Sequence, residues 1–138
     1  MIKSDMDPFE SSALTTILVV SDISISKAFY VEVLGAKIYR EYGGDSLVLD
    51  FLDNWLLLVT SGGPTEDKPN TYFMVPNNKD QVSHCFTIRV RNCMKSYQIL
   101  KDRGATFITP PLKRGKETRC FFRDPDHHLF EISEYSST

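Results

Sequence analysis

The sequence offers no cysteine pairing to build on. Its three cysteines, Cys85, Cys93 and Cys120, are an odd set with no CxxC spacing. That argues against a disulfide framework and a thiolate zinc site, and it points to a reducing cytoplasm. Long apolar runs are missing as well. The longest, Leu56 to Val59 after Trp55, is strand-sized and far short of the ~20 residues that span a bilayer. The opening MIKSDMDPFESS is polar and lacks the apolar stretch of a secretory signal. No charge of one sign dominates, because 16 Lys and Arg face 18 Asp and Glu for a net charge of −2. Such a balance gives no pull toward nucleic acid or an anionic membrane. A Gly-rich phosphate loop, a Walker motif and a catalytic triad are also absent.

What the chain does have is 138 residues, 41% of them hydrophobic, which suits a single domain over 1–138. It also has an internal repeat. Residues 17–38 read ILVVSDISISKAFYVEVLGAKI, and residues 87–108 read TIRVRNCMKSYQILKDRGATFI. Setting Val20 over Val90 places Asp22 over Asn92. One gap later, Gly35-Ala36 falls over Gly104-Ala105. In each stretch a strand runs into an Asx residue that can cap a helix by accepting backbone N–H bonds. Ile25, Ala28 and Phe29 give an apolar stripe at helical spacing, and Met94, Tyr97 and Leu100 give another. Gly35 and Gly104 stand where a helix ends in the left-handed conformation. A second strand follows each, Lys37–Glu41 and Thr106–Thr109.

Each half then closes with a hairpin. Leu47–Leu52 and Trp55–Thr60 flank the turn pair Asp53-Asn54. Thr118–Arg123 and Leu129–Ser133 flank Asp124-Pro125-Asp126-His127, with Pro125 suited to the first central position of a turn. Each half therefore reads β-α-β-β-β. Module one covers about 13–60 and module two about 84–135. A linker of about 61–83 joins them, rich in Gly, Pro, Asn and Asp, with Tyr72–Val75 as a short strand or flap. The fold class is α+β: two tandem βαβββ modules whose curved mixed sheet encloses a cleft, with the helices outside.

Strand alternation sorts the faces. Phe130 and Ile132 should meet the helix, which leaves Glu131 on the concave side. Phe86, Ile88 and Val90 share the helix side, while Cys85, Thr87 and Arg89 face the concavity. Overlaying the halves matches Thr15, Ile17 and Val19 to those three. Counting from Asp53 and Asp126 matches Leu58 to Glu131. The cleft thus collects Thr15, Leu58, Cys85, Thr87, Arg89 and Glu131 as candidate ligand-binding residues. A Glu131–Arg89 pair across it would suit docking of carboxylates or phosphates.

Paired βαβββ modules, the strand ending VVSD before SKAFY and VLGA, and RDPDHHLFEISE near the C-terminus resemble the vicinal oxygen chelate superfamily. The resemblance covers about residues 13–135. That superfamily includes glyoxalase I, extradiol dioxygenases, fosfomycin-resistance enzymes and bleomycin-resistance proteins. It implies a cleft between modules, often a homodimer, and in the metal-dependent members a divalent ion held by first-strand and last-strand residues. The positions that correspond are Thr15, Leu58, Cys85 and Glu131. Only Glu131 is a typical ligand, and it is the tentative catalytic residue. Cys85 could bind as a thiolate. His84 is one residue out of place and would turn inward only through a bulge. His127 stands where the family usually has Gly and reads as turn chemistry.

Several other features are accounted for by the scaffold. Lys113-Arg114-Gly115-Lys116 reads as a basic surface loop, and Trp55, Phe121, Tyr72 and Phe73 as packing before ligand stacking. Two functions follow from the resemblance. One is a metal-free protein that binds a small organic molecule in the cleft. The other is a divalent-metal lyase, isomerase or dioxygenase using Glu131 with His84 or Cys85. A catalytic metal site needs about three protein ligands, so one confident ligand favours the first reading, with no cofactor.

Overall fold

The structure is a computed structural model that describes residues 6–136. Both halves fold as the repeat requires. In module one, β1 (Thr15–Val20) lies parallel to β4 (Asn54–Thr60), and the sheet runs β1-β4-β3-β2 through β3 (Ser46–Phe51) and β2 (Lys37–Tyr42). In module two, β5 (Phe86–Arg89) lies parallel to β9 (Leu129–Tyr135), and the order is β5-β9-β8-β6. There β8 spans Glu117–Arg123 and β6 is the two-residue Thr106–Phe107. A further strand, β7 (Leu112–Arg114), pairs with β8 beyond β6. Thus β6 and β7 together take the place of β2. Pro110 and Pro111 fall between them, and proline has no N–H to give to a ladder. The segment 113–116 is therefore a hairpin end, with Arg114 opposite Glu117, and not a free loop.

The helices begin as expected. Asp22 accepts from the Ile25 amide at 3.1 Å and Asn92 from the Lys95 amide at 3.0 Å. Gly35 and Gly104 have φ of +78° and +108°. The buried stripes differ from those read off the sequence. Ser26, Tyr30 and Val33 point inward in module one, and Cys93 and Tyr97 in module two, while Ile25 and Met94 are exposed. Module one also changes pitch. Helix α1 (Ile23–Ala28) continues as a π-helical turn over Phe29–Val33, whereas α2 (Cys93–Asp102) is α-helical throughout. One residue more separates Asp22 from Gly35 than Asn92 from Gly104. A π-turn absorbs one extra residue, so the alignment gap between the halves has become a bulge in the helix.

The first hairpin also departs from the sequence reading. Phe51 pairs with Asn54, so the turn is Leu52-Asp53, one residue earlier than expected. Both residues have positive φ, 52° and 62°, as a two-residue turn matching strand twist demands. The second hairpin joins Arg123 to Leu129 through a longer loop. In it His127 takes φ of +72°, the left-handed role expected of it.

One core serves both modules. It runs from Leu18, Val20, Leu47, Leu49 and Leu58 through Tyr30 to Phe122, Phe130 and Ile132. Phe29 packs on Phe122 at 6.5 Å and Tyr30 on Phe130 at 6.0 Å. Polar bonds cross the same junction. The Tyr30 hydroxyl donates to Asp124 Oδ2 at 2.7 Å, and the Ser21 amide to Asp126 Oδ2 at 3.1 Å. His128 Nε2 lies 2.8 Å from the Val19 carbonyl, which can only accept, so Nε2 carries the proton. The other carboxylate oxygen, Asp124 Oδ1, accepts from the amides of Asp126 and His128 and shapes the turn.

Burial pushes the Asp124 carboxyl up from its ordinary range, against the lowering effect of the Tyr30 bond. The Tyr30 hydroxyl is held well above its ordinary value by burial and by Asp124. Removing that hydroxyl leaves a buried acceptor short of a partner, which costs about 1–3 kcal/mol. Tyr30→Phe should lose that much stability in urea denaturation. The folded form holds the Asp124 proton more tightly than the unfolded chain does. Its contribution to stability is therefore greatest in acid and falls as pH rises from the ordinary carboxylate range through the raised value. Asp124→Asn should remove that fall, read as the difference between the two proteins' stability-against-pH curves.

Candidate functional site

With the helix-side faces spent on the shared core, each sheet keeps a second face outside it. On module two, Thr87, Arg89, Glu131, Ser133, Arg119 and Glu117 alternate onto that face. The register sets Thr87 opposite Glu131 on the parallel ladder and Phe121 opposite Glu131 on the antiparallel one. The Thr87 hydroxyl donates to Glu131 Oε1 at 2.8 Å. Arg119 Nε stands 3.8 Å from Glu131 Oε2. The Glu131 side chain is only 11% exposed, so its charge is partly desolvated and leans on both partners.

Further along the strands, Ser133 Oγ donates to Glu117 Oε2 at 2.6 Å and Arg119 Nη1 to Glu117 Oε1 at 3.3 Å. The hydroxyl of Ser133, then Arg119 and Arg89, lower the Glu117 carboxyl from its ordinary value. Arg89 Nη1 donates to Ser133 Oγ at 3.2 Å, sits 3.7 Å from Glu117, and lies over the Tyr135 ring. The partner of Glu131 is therefore Arg119 and not Arg89. Strand spacing explains the exchange. Arg89 is two residues beyond Thr87 and so meets Ser133, whereas Arg119 reaches Glu131 diagonally across the β8–β9 ladder. Alternation along Thr118–Arg123 would have found Arg119, since it shares a face with Phe121.

The corresponding face of module one is mixed: Ile17, Leu57, Val48 and Trp55 share it with Thr15, Asp50 and Arg40. Thr15 is exposed opposite Trp55, and Ile17, which is 45% exposed, stands opposite Leu57. Trp55 meets Tyr39 edge-on at 4.7 Å. Leu58 does not belong to this face. It is 0% exposed, sits in the core and pairs with Leu18. The counterpart of Glu131 by ladder register is Leu57, since Ile17–Leu57 repeats Thr87–Glu131. Counting from Asp53 and Asp126 slipped by one because the two hairpin loops differ in length, and a one-residue slip exchanges the faces.

Cys85 lies just before β5 and is exposed. Desolvation, then the charge of Glu131, push its thiol up, which holds it protonated and weakens it as a nucleophile. His84 also precedes the strand. It stacks edge-on against Phe86 at 5.7 Å and lies 6.5 Å from the His128 ring, on the side of the linker. His127 and His128 belong to the turn. Among the described residues, Trp55 and Phe121 lie on or beside the two open faces, while Phe73 is engaged by Lys68 within the linker. Tyr72–Val75 forms no strand beyond a single bridge of Phe73 to Gly62.

The donor set is a poor match for a divalent metal. Thr15 offers a neutral hydroxyl, Leu57 offers nothing, and both Glu131 oxygens already face Thr87 and Arg119. Among the described residues, no three His, Cys, Asp or Glu side chains come together so as to hold a metal ion. The residues at these positions do not fit the ion. No described helix is long and apolar enough to cross a membrane.

Comparison with known proteins agrees with the fold. A family model described as the Glyoxalase/Bleomycin resistance protein/Dioxygenase superfamily matches residues 12–132. A metallothiol transferase, FosB, of Staphylococcus saprophyticus is 31% identical over 118 residues, 82% of this chain and 70% of that protein. An integron cassette protein from the mobile metagenome of V. cholerae superposes with a TM-score of 0.68 at 26% identity, covering 99% of both chains. The antibiotic-binding protein TnmS3 of Streptomyces sp. CB03234 does so with a TM-score of 0.66 at 19% identity, covering 97% of this chain and 100% of that one.

The placement of Cys85 can be checked by alkylation. The Cys93 and Cys120 thiols are buried, and burial with the neighbouring Cys93 pushes Cys120 up to about 12. Only Cys85 should react with iodoacetamide in the folded protein. At pH 8, Glu131→Gln should raise its rate about twofold or more, because the opposing charge is gone. An unchanged rate would place Glu131 out of reach of the thiol.

Proposed function

This chain belongs to the Glyoxalase/Bleomycin resistance protein/Dioxygenase superfamily, and from that premise we propose that it binds a small organic molecule without needing a metal. The observation that carries this reading is the contrast between the two open faces. One is apolar along Ile17, Leu57 and Val48 and aromatic at Trp55, with Asp50 and Arg40 toward its far edge. The other has a carboxylate already engaged by Thr87 and Arg119, with Arg89 and Glu117 beside it. Together they suit a ligand with a flat apolar part and a polar, hydrogen-bonding part. Thr15, Cys85, Thr87, Arg89 and Glu131 supply the polar contacts on this reading, and Leu57 replaces Leu58 as the apolar one.

Such a face gains from being covered. A strand face carrying the apolar side chains of Ile17 and Trp55 is a surface that partners cover. We place a second copy of the chain over it, so that the ligand lies between faces of two protomers. The protein should then run as a homodimer in light scattering, and Leu57→Asp should shift it toward monomer. A monomeric parent protein would overturn this part of the proposal.

Binding has a built-in reporter, because Trp55 is the sole tryptophan of the chain. Bleomycin serves as a first probe. Its addition should change the Trp55 emission saturably, and Glu131→Gln should weaken that binding about tenfold, the value of one charge-assisted hydrogen bond. Elemental analysis after native purification should find no stoichiometric divalent metal. One Zn, Ni, Mn or Fe per chain, lost in Glu131→Gln, would instead establish a metal-dependent lyase, isomerase, dioxygenase or transferase. The 31% identity to a protein named a metallothiol transferase favours that second reading.

A further inference from the structure

A second cavity lies away from both open faces. Its volume is about 440 Å³, and neither Thr87, Arg119 nor Glu131 lines it. It opens where the second hairpin turn, the edge strand β6, the linker and the π-turn of module one converge. The walls fall into two kinds. Phe29, Phe107 and Ile108 make an apolar side, and Lys79, Arg123 and His127 make a polar one, with the positive charges on Lys79 and Arg123.

Phe29 opens the π-turn, a local widening of the helix that commonly accompanies function. Phe107 is held edge-on by Tyr97 at 4.8 Å and packs beside Phe122. Arg123 is only 18% exposed, and its Nη1 donates to the His127 carbonyl at 3.3 Å, which ties the guanidinium to the turn. Its one ion pair among the described residues, to Asp80 at 4.0 Å, is loose, and Asp80 is 76% exposed. A pair so long and so open to water contributes little, so an incoming anion can displace it. Lys79 makes no ion pair or hydrogen bond among the described residues.

One carboxylate also lines the cavity, that of Asp124, and it would oppose an anion if it were free. It is occupied: Oδ2 accepts from Tyr30, and Oδ1 from the amides of Asp126 and His128. Two cations beside two phenyl rings in a space of this size match a planar apolar group bearing one negative charge. We propose that this cavity is a second binding site, selective for a small aromatic carboxylate, with the ring between Phe29 and Phe107 and the carboxylate on Arg123 and Lys79. Its walls come from both modules and the linker, so an occupant braces the junction and stabilises the folded state by mass action.

The test uses 2-naphthoate, with uncharged 2-naphthamide as its control, followed by calorimetry and amide NMR shifts on the full chain. Saturable binding of naphthoate is expected, about tenfold tighter than the amide, together with a rise in melting temperature. The largest shifts should fall at Phe29, Gly104, Phe107, Ile108 and Arg123. Arg123→Gln should weaken binding about tenfold. Lys79→Ala, on an exposed side chain outside the core, should weaken it several-fold without affecting folding. Glu131→Gln should leave it unchanged, which separates this site from the open faces. The proposal is overturned by no saturable binding up to about 5 mM, a bound far weaker than ligand pockets of this size reach. Equal affinity for acid and amide overturns it, as do shifts centred on Ile17, Leu57 and Glu131, or indifference to Lys79→Ala.

Discussion

The junction between the modules rests on a buried carboxylate, Asp124, and everything else in the molecule is arranged around it. One of its oxygens receives the Tyr30 hydroxyl from the other module; the second folds the hairpin turn by accepting two amides. Asp126, two residues on, holds the Ser21 amide, and His128 holds the Val19 carbonyl. The RDPDHH segment is thus a turn and a clamp at once. A carboxylate this buried stays only when its hydrogen-bonding capacity is filled, so Tyr30 must lie within reach, and the π-turn helps carry it there.

That clamp decides which surfaces are left for ligands. Because the helix-side faces of both sheets meet at one core, the opposite faces are pushed outward. The two are chemically unlike. Module one shows Ile17, Leu57 and Trp55, and module two shows Thr87, Glu131, Arg119, Glu117 and Ser133. The duplication kept the scaffold and let the faces diverge. Divergence of this kind removes the donors that a symmetric metal site would take from both halves, and it leaves two surfaces of unlike polarity.

The cavity beside the clamp follows from the same constraint. The extra helix residue, the long second hairpin and the linker all end near the junction. Each leaves backbone that cannot pack as tightly as regular ladder or α-helix. The space between them is bounded by Phe29 and Phe107 on one side and by Arg123 and Lys79 on the other. Both binding surfaces proposed for this chain therefore trace to how the halves join, and neither follows from one module alone.

Much of the scaffold could be read from the chain. Asx caps, left-handed glycines, strand alternation and the repeat are local rules, and they located β1, both helix starts, the hairpins and the faces of Phe130, Ile132 and Glu131. The errors came where local rules tie and packing breaks the tie. Ile25 and Met94 are apolar at helical spacing, and only the packing of each helix on its sheet turns them outward and Ser26 inward. Leu57 and Leu58 are equally hydrophobic neighbours, and only the two-residue turn at Leu52-Asp53 says which one enters the core. Arg89 and Arg119 are both basic residues on one face, and only the β8–β9 register gives Glu131 to Arg119. The sequence by itself determined the duplicated architecture and the singular place of Glu131, because those depend on short-range periodicity. The tertiary structure alone decided the partners, the phase of the helix and the clamp at Asp124, because those depend on contacts between residues distant along the chain.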